Sequence, residues 1–255
     1  MLNKTAELTD SLSISSAFNF KITSTANPTK LNCSGANSGL SFFSSCHVIV
    51  ESINFESCGH TQAMIRRVKE PGKKPKDEQV NVTTTLFFEQ GEHIAIKDCS
   101  MWYYRGYAII LTDCSGKIEL YSLDIYANSP VKFDFAFNNG SSFPEKLFGG
   151  GVLFQHISEE TICDTDLKLE NCEFQYLKAV NPLNDRVTDN SEQIKPFGLG
   201  GSISIYLLYS RNTLVQIYNP LIHSSYALYG GGMYIAHGLD SYHNFVAINL
   251  SLIHI

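Results

Sequence analysis

The feature that most constrains the fold is a short apolar pattern that recurs along the chain. Each copy has two apolar residues with one residue between them, then two intervening residues, then a second pair with the same spacing. Alternation over three residues places both apolar side chains on one face of a short strand. If the two intervening residues turn the backbone, the second strand faces the same core from a new direction. Six copies begin at Val48, Ile94, Ile118, Leu167, Val215 and Val246.

The second intervening residue of each copy has a type that suits a turn. Ser, Asp and Asn tolerate left-handed backbone or hydrogen-bond to their own backbone. In the sixth copy this place falls to Leu250. The residues in the first five copies are Ser52, Asp98, Ser122, Asn171 and Asn219.

A further short strand precedes most copies and is often opened by glycines, as in "GGGVLF" from Gly149. Each unit then has three short strands and three corners. One unit buries too few apolar side chains to offset the entropy of ordering it, so neighbouring units must share core and hydrogen bonds. The pattern predicts an all-β chain, folded as a right-handed single-stranded parallel β-helix (solenoid) of about 6–7 coils with long loops at one corner.

An antiparallel sandwich is the alternative fold. Its strands are also short and separated by turns. A sandwich gives no reason for the same two-residue interval to recur, so the β-helix is the preferred prediction.

The chain of 255 residues is 44% hydrophobic and 17% charged, which allows a sizeable core. We expect residues 1–249 to form a single β-helix domain that is a fragment of a longer chain. The last six residues, "LSLIHI", resemble the translation of a common sequencing-library adapter. Residues 250–255 are therefore expected to be a non-native tail.

Three long insertions, at residues 60–82, 129–147 and 178–196, fall between the third strand of one unit and the first strand of the next. Loops at equivalent corners project from one side of a solenoid, and such a side is often the binding surface. The first insertion contains the run "RRVKEPGKKPK". Its basic residues are candidates for contact with an anionic glycan, and a solvated loop is the simpler interpretation. The candidates are Arg66, Arg67, Lys73 and Lys74.

An aromatic run, "MWYYRGY", supplies a second set of candidate binding residues. Trp102, Tyr103 and Tyr104 leave a predicted third strand, where their rings could stack on sugars. The competing interpretation is that they fill a corner and shield the neighbouring coil.

The seven cysteines include no CxxC pair, and no histidine spacing indicates zinc, so neither a metal nor a cofactor is expected. A disulfide could join Cys46 to Cys58, or Cys163 to Cys172, and spacing decides neither. Asn81 and Asn139 are glycosylation candidates because they open Asn-x-Ser/Thr motifs in or beside the insertions. Together these features favour an extracellular or cell-surface setting.

The net charge of −6 argues against nucleic acid as a partner. No apolar run approaches the ~18 residues of a membrane span. The expected partner is a glycan or a cell-surface protein.

A non-catalytic segment that presents its loop-bearing face for recognition is the preferred interpretation over an enzyme, and no catalytic residue is assigned. Hydrolases of polysaccharides need a pair of carboxylates flanking the scissile bond. The densest acidic segments contain Glu159, Glu160, Asp164 and Asp166, and an exposed turn explains them more simply. His237 lacks the paired aspartates and the basic motif that such a hydrolase requires.

The repeats resemble the right-handed β-helix, pectin-lyase-like superfamily. Within it, "GLSFFSSCHVIVESINFESCG", "GGGVLF" with "LKLENCEF", and "GGGMYI" with "VAIN" are similar to large repetitive surface proteins of early-branching animals. The resemblance implies a secreted or cell-surface role in adhesion or recognition. Membership of this superfamily does not decide activity. Two alternatives therefore stay open: a polysaccharide lyase or glycoside hydrolase with an incomplete site, and a structural spacer.

Overall fold

A computed structural model describes most of the chain. The described residues are 5–24, 29–33, 37–68, 76–128, 150–158, 162–179, 201–207, 209–227, 231–238 and 241–249. In these ranges every regular element is a β-strand, and no helix long and apolar enough to cross a membrane occurs. The all-β prediction is confirmed.

Three long sheets, A, B and C, contain most of the strands, which are numbered in chain order. Sheet A consists of β1 (Thr5–Leu8), β4 (Thr29–Cys33), β7 (Ile53–Glu56), β11 (Ser100–Trp102), β14 (Asp124–Tyr126), β18 (Glu173–Gln175) and β23 (Leu221–His223). Sheet B consists of β2 (Leu12–Ser15), β5 (Leu40–Phe43), β9 (Lys76–Glu89), β12 (Tyr107–Thr112), β15 (Gly150–His156), β20 (Ile203–Leu207) and β25 (Met233–His237), with β8 (His60–Val68) beside β9. Sheet C consists of β3 (Phe18–Thr23), β6 (Cys46–Glu51), β10 (Glu92–Lys97), β13 (Ser115–Tyr121), β17 (Thr165–Glu170), β22 (Leu214–Tyr218) and β26 (Phe245–Asn249).

Two small sheets complete the described strands. One pairs β16 (Ile162–Cys163) with β21 (Ser210–Arg211), and the other pairs β19 (Lys178–Ala179) with β24 (Tyr226–Ala227).

The chain visits sheets A, B and C in turn, and each strand pairs in parallel with its counterparts from the previous and next visits. The six apolar pairs predicted from sequence share one register in sheet C. Val48 is opposite Ile94, which is also opposite Ile118, and the column continues through Leu167, Val215 and Val246. Apart from β8, which pairs antiparallel with β9, the strands of the three sheets pair in parallel, and this excludes the antiparallel sandwich.

The five predicted corner residues that the structure describes have left-handed backbone. Their φ angles are 58° at Ser52, 52° at Asp98, 50° at Ser122, 54° at Asn171 and 49° at Asn219. In each, the backbone N–H donates to a carbonyl of the next strand, as from Ser52 to Lys97 at 3.0 Å. The interval in the apolar pattern is therefore the corner between sheets C and A.

The main core lies between the three sheets. It includes the shared column of sheet C, and Phe42 and Phe88 stack within it at 4.8 Å between ring centroids. A second cluster lies on the other face of sheet B and contains Phe87, Ile110 and Leu153. The strands "TLFFE" and "YAIIL" are continuous apolar runs rather than alternating ones, which is the pattern of strands buried on both faces.

The first predicted loop, residues 60–82, is largely a β-hairpin. Strand β8 pairs antiparallel with the first part of β9, from His60 opposite Thr84 to Val68 opposite Lys76. The insertion occupies the predicted corner, between sheets A and B. The other two insertions are also flanked by strands of sheets A and B, although residues 129–147 and most of 178–196 lie outside the described residues.

The disulfide joins Cys33 to Cys58, with Cα atoms 4.8 Å apart. Both pairings left open by the sequence are wrong, because Cys46 and Cys172 are free thiols. Parallel stacking places residue 33 of one unit beside the corner of the next, so the bridge links two units rather than two positions within one. It fixes the corner from which the chain leaves sheet A for sheet B.

Candidate functional site

Sheet A carries the exposed aromatic residues that the sequence singled out. Met101, Ile125 and Phe174 are fully buried in the main core. Because side chains alternate along a strand, their neighbours lie on the outer face of the sheet. Trp102, Tyr126 and Gln175 are in register there, and so are Asp124 and Glu173.

A further column follows these strands at the corner. Tyr103, Ala127 and Tyr176 are in register, since Tyr103 N–H donates to Tyr126 O at 3.1 Å and Ala127 N–H donates to Gln175 O at 2.9 Å. Both tyrosines have φ of 55°, and bulky residues rarely adopt this left-handed conformation. Their side chains are exposed, by 56% at Tyr103 and 51% at Tyr176.

The rings form one continuous group. Tyr126 lies between the two corner tyrosines, with its centroid 5.6 Å from Tyr103 and 5.4 Å from Tyr176. Both contacts are edge-to-face, a preferred aromatic geometry. Trp102, on the strand before, is 39% exposed. We call Trp102, Tyr103, Tyr126 and Tyr176 the aromatic face.

Two carboxylates border the aromatic face. Trp102 Nε1–H donates to Asp124 Oδ2 at 3.0 Å, and the Gln175 amide donates to Glu173 Oε1. The pKa of Asp124 is raised, chiefly by burial. The bond from Trp102 lowers it, and the nearby Glu173 carboxylate raises it further. A carboxylate accepts about four hydrogen bonds, so both groups keep capacity for further donors.

Tyr104 does not belong to the aromatic face, and its prediction as a binding residue is wrong. It is fully buried in the main core, and its hydroxyl donates to Gly150 O at 2.8 Å. Burial raises the pKa of this phenol. The left-handed backbone of Tyr103 turns the chain, so that Tyr103 points out and Tyr104 points in.

The basic candidates are only partly placed. Arg66 and Arg67 belong to β8, where the backbone register sets them opposite Glu78 and Asp77. Their side chains, together with Lys73 and Lys74, lie outside the described residues. The anionic-glycan contact therefore stays a prediction.

The glycosylation candidates are divided in the same way. Asn81 lies in β9 and is exposed. The next two residues of its motif, Val82 and Thr83, are buried. Asn139 lies outside the described residues.

The acidic candidates are only partly described. Asp164 is exposed and accepts a hydrogen bond from Asn212 Nδ2 at 3.1 Å, and Asp166 lies in β17. Glu159 and Glu160 lie outside the described residues. Within the described ranges, no group of three or more His, Cys, Asp or Glu residues could hold a metal ion.

A carboxyl pair that sequence reasoning missed lies where sheet B turns toward sheet C. Burial, and then the Asp113 carboxylate, raise the pKa of Glu89 to about 7. Asp113 is itself buried and accepts N–H bonds from Ile157 at 2.7 Å and Ser158 at 3.0 Å. Through these bonds Asp113 holds the backbone of the next unit in place. The strand register sets Glu89 opposite Thr112, the residue before Asp113, and the sequence alone does not show this register.

The outer face of sheet C has a different character. Lys97 pairs with Glu119 at 3.0 Å and Lys168 pairs with Glu170 at 2.6 Å, around a shallow cavity of about 250 Å³. These exposed charges neutralise one another, and such pairs are typical of a solvated surface. The aromatic face is therefore the better candidate for binding.

No protein-family model, curated protein or solved structure matches this chain. The parallel sheets are compatible with the resemblance to pectin-lyase-like repeats, which stays a prediction from motifs.

Proposed function

We propose that this chain is a non-catalytic segment of an extracellular or cell-surface protein and that it binds glycans through its aromatic face. The supporting observation is the placement of four aromatic rings and two carboxylates on three consecutive strands of sheet A. Three of these rings are more than one-third exposed.

The chemistry of this surface suits a sugar. A pyranose ring has apolar C–H faces and a rim of hydroxyl donors. Exposed tyrosine and tryptophan rings offer flat apolar contact at low entropic cost. The Asp124 and Glu173 carboxylates lie beside the rings as acceptors for hydroxyl groups.

The backbone of the tyrosines supports a role beyond stability. Left-handed φ is unfavourable for a residue with a Cβ, by about 1–2 kcal/mol. Serine occupies the same corner position at Ser57 and Ser224. Tyr103 and Tyr176 are larger than the corner requires, so the repeat alone does not explain their exposed rings.

The extracellular setting is supported by the Cys33–Cys58 disulfide, because disulfides persist mainly in oxidising compartments. The exposed side chain of Asn81 is compatible with glycosylation, although Val82 and Thr83 of its motif are buried.

The proposed architecture is a single right-handed parallel β-helix that presents sheet A along its length. The regular order in which the chain visits the three sheets supports a winding path. Crossovers between parallel strands of one sheet are right-handed in the great majority of proteins.

Oligosaccharide-array binding tests the function. We expect the wild-type protein to bind at least one glycan class and the double variant Tyr103→Asn/Tyr176→Asn to lose binding. Tyr121→Asn is the matched control, because Tyr121 is 38% exposed on the outer face of sheet C. Absence of glycan binding, or equal binding by the double variant, would overturn the proposal. Release of reducing ends or unsaturated products from a bound polymer would overturn its non-catalytic part.

A further inference from the structure

The spacing of the corner tyrosines bears on which glycan fits, an inference that rests on the proposed function. Tyr103 and Tyr176 share one column and are two strands apart, with Ala127 on the strand between them. Adjacent strands are about 4.8 Å apart, so equivalent atoms of the two tyrosines are separated by about 9.5 Å. Their equal φ of 55° gives them the same backbone conformation.

This separation is close to the disaccharide repeat of an extended β-1,4-linked glycan. In such a chain every second sugar presents the same face, so two stacking rings one repeat apart contact equivalent sugars. At the corner position between them, the small Ala127 adds no ring of its own. Tyr126 packs edge-on against both rings and limits their movement.

The charge of the surface selects among extended glycans. Strands β11, β14 and β18 contain Asp124 and Glu173 and no Lys or Arg, and the basic residues Arg105 and Lys178 follow only after the chain has left sheet A. On strand β4 of the same sheet, Lys30 is paired with Glu56. A uronate or sulfate group would meet carboxylates and be repelled, whereas an uncharged hydroxyl can donate to them.

From spacing and charge together, we infer that the aromatic face binds an uncharged, extended β-1,4-linked glycan that lies across the strands of sheet A, with Tyr103 and Tyr176 stacked on sugars one disaccharide apart. A helically coiled α-linked glycan does not keep this repeat. A disaccharide is too short to reach both rings fully.

Calorimetry with defined hexasaccharides tests this inference. The probes are cellohexaose and hexa-N-acetylchitohexaose as uncharged β-1,4 chains, maltohexaose as an α-1,4 chain, and a β-1,4-mannuronate hexamer as an acidic chain. We expect an uncharged β-1,4 hexamer to bind at least about tenfold more tightly than maltohexaose or the mannuronate hexamer, a difference of about 1.4 kcal/mol.

Single variants test the two-ring geometry. Tyr176→Asn should weaken binding of the preferred hexamer about tenfold. It should change binding of the corresponding disaccharide much less, because one ring still serves a short ligand. Tyr121→Asn, on sheet C, should change neither affinity.

The outcomes separate the two proposals. Equal binding of the α-linked or acidic hexamers, with every affinity reduced by Tyr176→Asn, overturns the inference and leaves the glycan-binding function in place. The same loss for hexamer and disaccharide in Tyr176→Asn also overturns the two-ring geometry. Absence of binding to any glycan overturns both proposals.

Discussion

The outer faces of sheets A and B differ, although both sheets are built from the same repeating unit. On sheet B, Phe87, Ile110 and Leu153 are fully buried in a second cluster. On sheet A, Trp102 and the corner tyrosines are exposed. The inner positions of both sheets serve one core, so the repeat constrains them. The outer positions are free to add stability in one sheet and to form the proposed binding surface in the other.

The largest expected effect is on sheet B, where one leucine can be compared with its counterpart on sheet A. Leu153 is fully buried on the outer face of sheet B, whereas Leu221 is 38% exposed on the outer face of sheet A. Leu153→Ala should lower the free energy of unfolding by about 2–5 kcal/mol, because it leaves a cavity in a packed cluster. Leu221→Ala should lower it by less than about 1 kcal/mol. Urea unfolding followed by circular dichroism measures both.

Equal destabilisation by the two leucine variants would break this comparison. It would mean that the outer face of sheet A is packed in solution, and the aromatic face would then not be available to a ligand.

The second largest effect is expected from the disulfide at the corner between sheets A and B. The Cys33–Cys58 disulfide closes a loop with a sequence separation of 25 residues. Its loss should lower the free energy of unfolding by about 3 kcal/mol, through the greater freedom of the unfolded chain. Urea unfolding of the double variant Cys33→Ser/Cys58→Ser measures this change. Cys46→Ser is the control, because Cys46 is a free thiol on β6 of sheet C.

Reductant provides an independent check. It should lower the stability of the wild-type protein toward that of the double variant and leave the double variant unchanged. A wild-type protein indifferent to reductant would contradict the bridge and remove the support it gives to an extracellular setting.

The outer face of sheet B should also make the stability of the protein depend on pH. Burial raises the pKa of Glu89, at the end of a sheet B strand, from 4.5 to about 7. The folded protein therefore favours protonated Glu89, and the free energy of unfolding falls as pH rises between these two values. Glu89→Gln should remove this loss of unfolding free energy, which is on the order of 1 kcal/mol after allowance for solvent screening.

The stability difference between Glu89→Gln and the wild type isolates this effect. The pKa values of His60 and His156 are lowered to about 4 by burial, so these residues destabilise the fold as pH falls below 6.5. Their contribution is common to both proteins and cancels. We expect the variant to gain relative stability from about pH 4 to about pH 8. A difference independent of pH would contradict the raised pKa.

Much of the fold could be predicted from the sequence because the inner positions repeat. The column from Val48 to Val246 and the left-handed residues Ser52 and Asn171 follow directly from the apolar pattern. The second cluster was not predicted, although the apolar runs of sheet B contained its signal. The alternating apolar pattern predicts strands with one buried face, whereas Leu153 is buried on the opposite, outer face of its strand.

The candidate site was only partly predictable for a related reason. Trp102 and Tyr103 are adjacent to Tyr104 in sequence, and composition alone cannot separate exposed rings from a buried one. The separation comes from the left-handed φ at Tyr103, which reverses the direction of the next side chain. Tyr126 and Tyr176 were missed because they reach the same surface from two other units, through register rather than sequence proximity.

The smallest expected effect is on the aromatic face itself. Tyr176→Asn removes an edge-to-face contact with Tyr126, which costs about 0.5–1.5 kcal/mol. It also places a residue that tolerates left-handed backbone at φ of 55°, as Asn171 does at the preceding corner. The two terms oppose each other, so the net change in the free energy of unfolding should stay within about 1 kcal/mol. Tyr176→Ala loses the same contact without this relief, and we expect it to be less stable than Tyr176→Asn by about 0.5–1 kcal/mol. If urea unfolding instead gives the alanine variant equal or higher stability, the left-handed backbone at Tyr176 costs nothing, and its strain no longer supports a binding role for this residue.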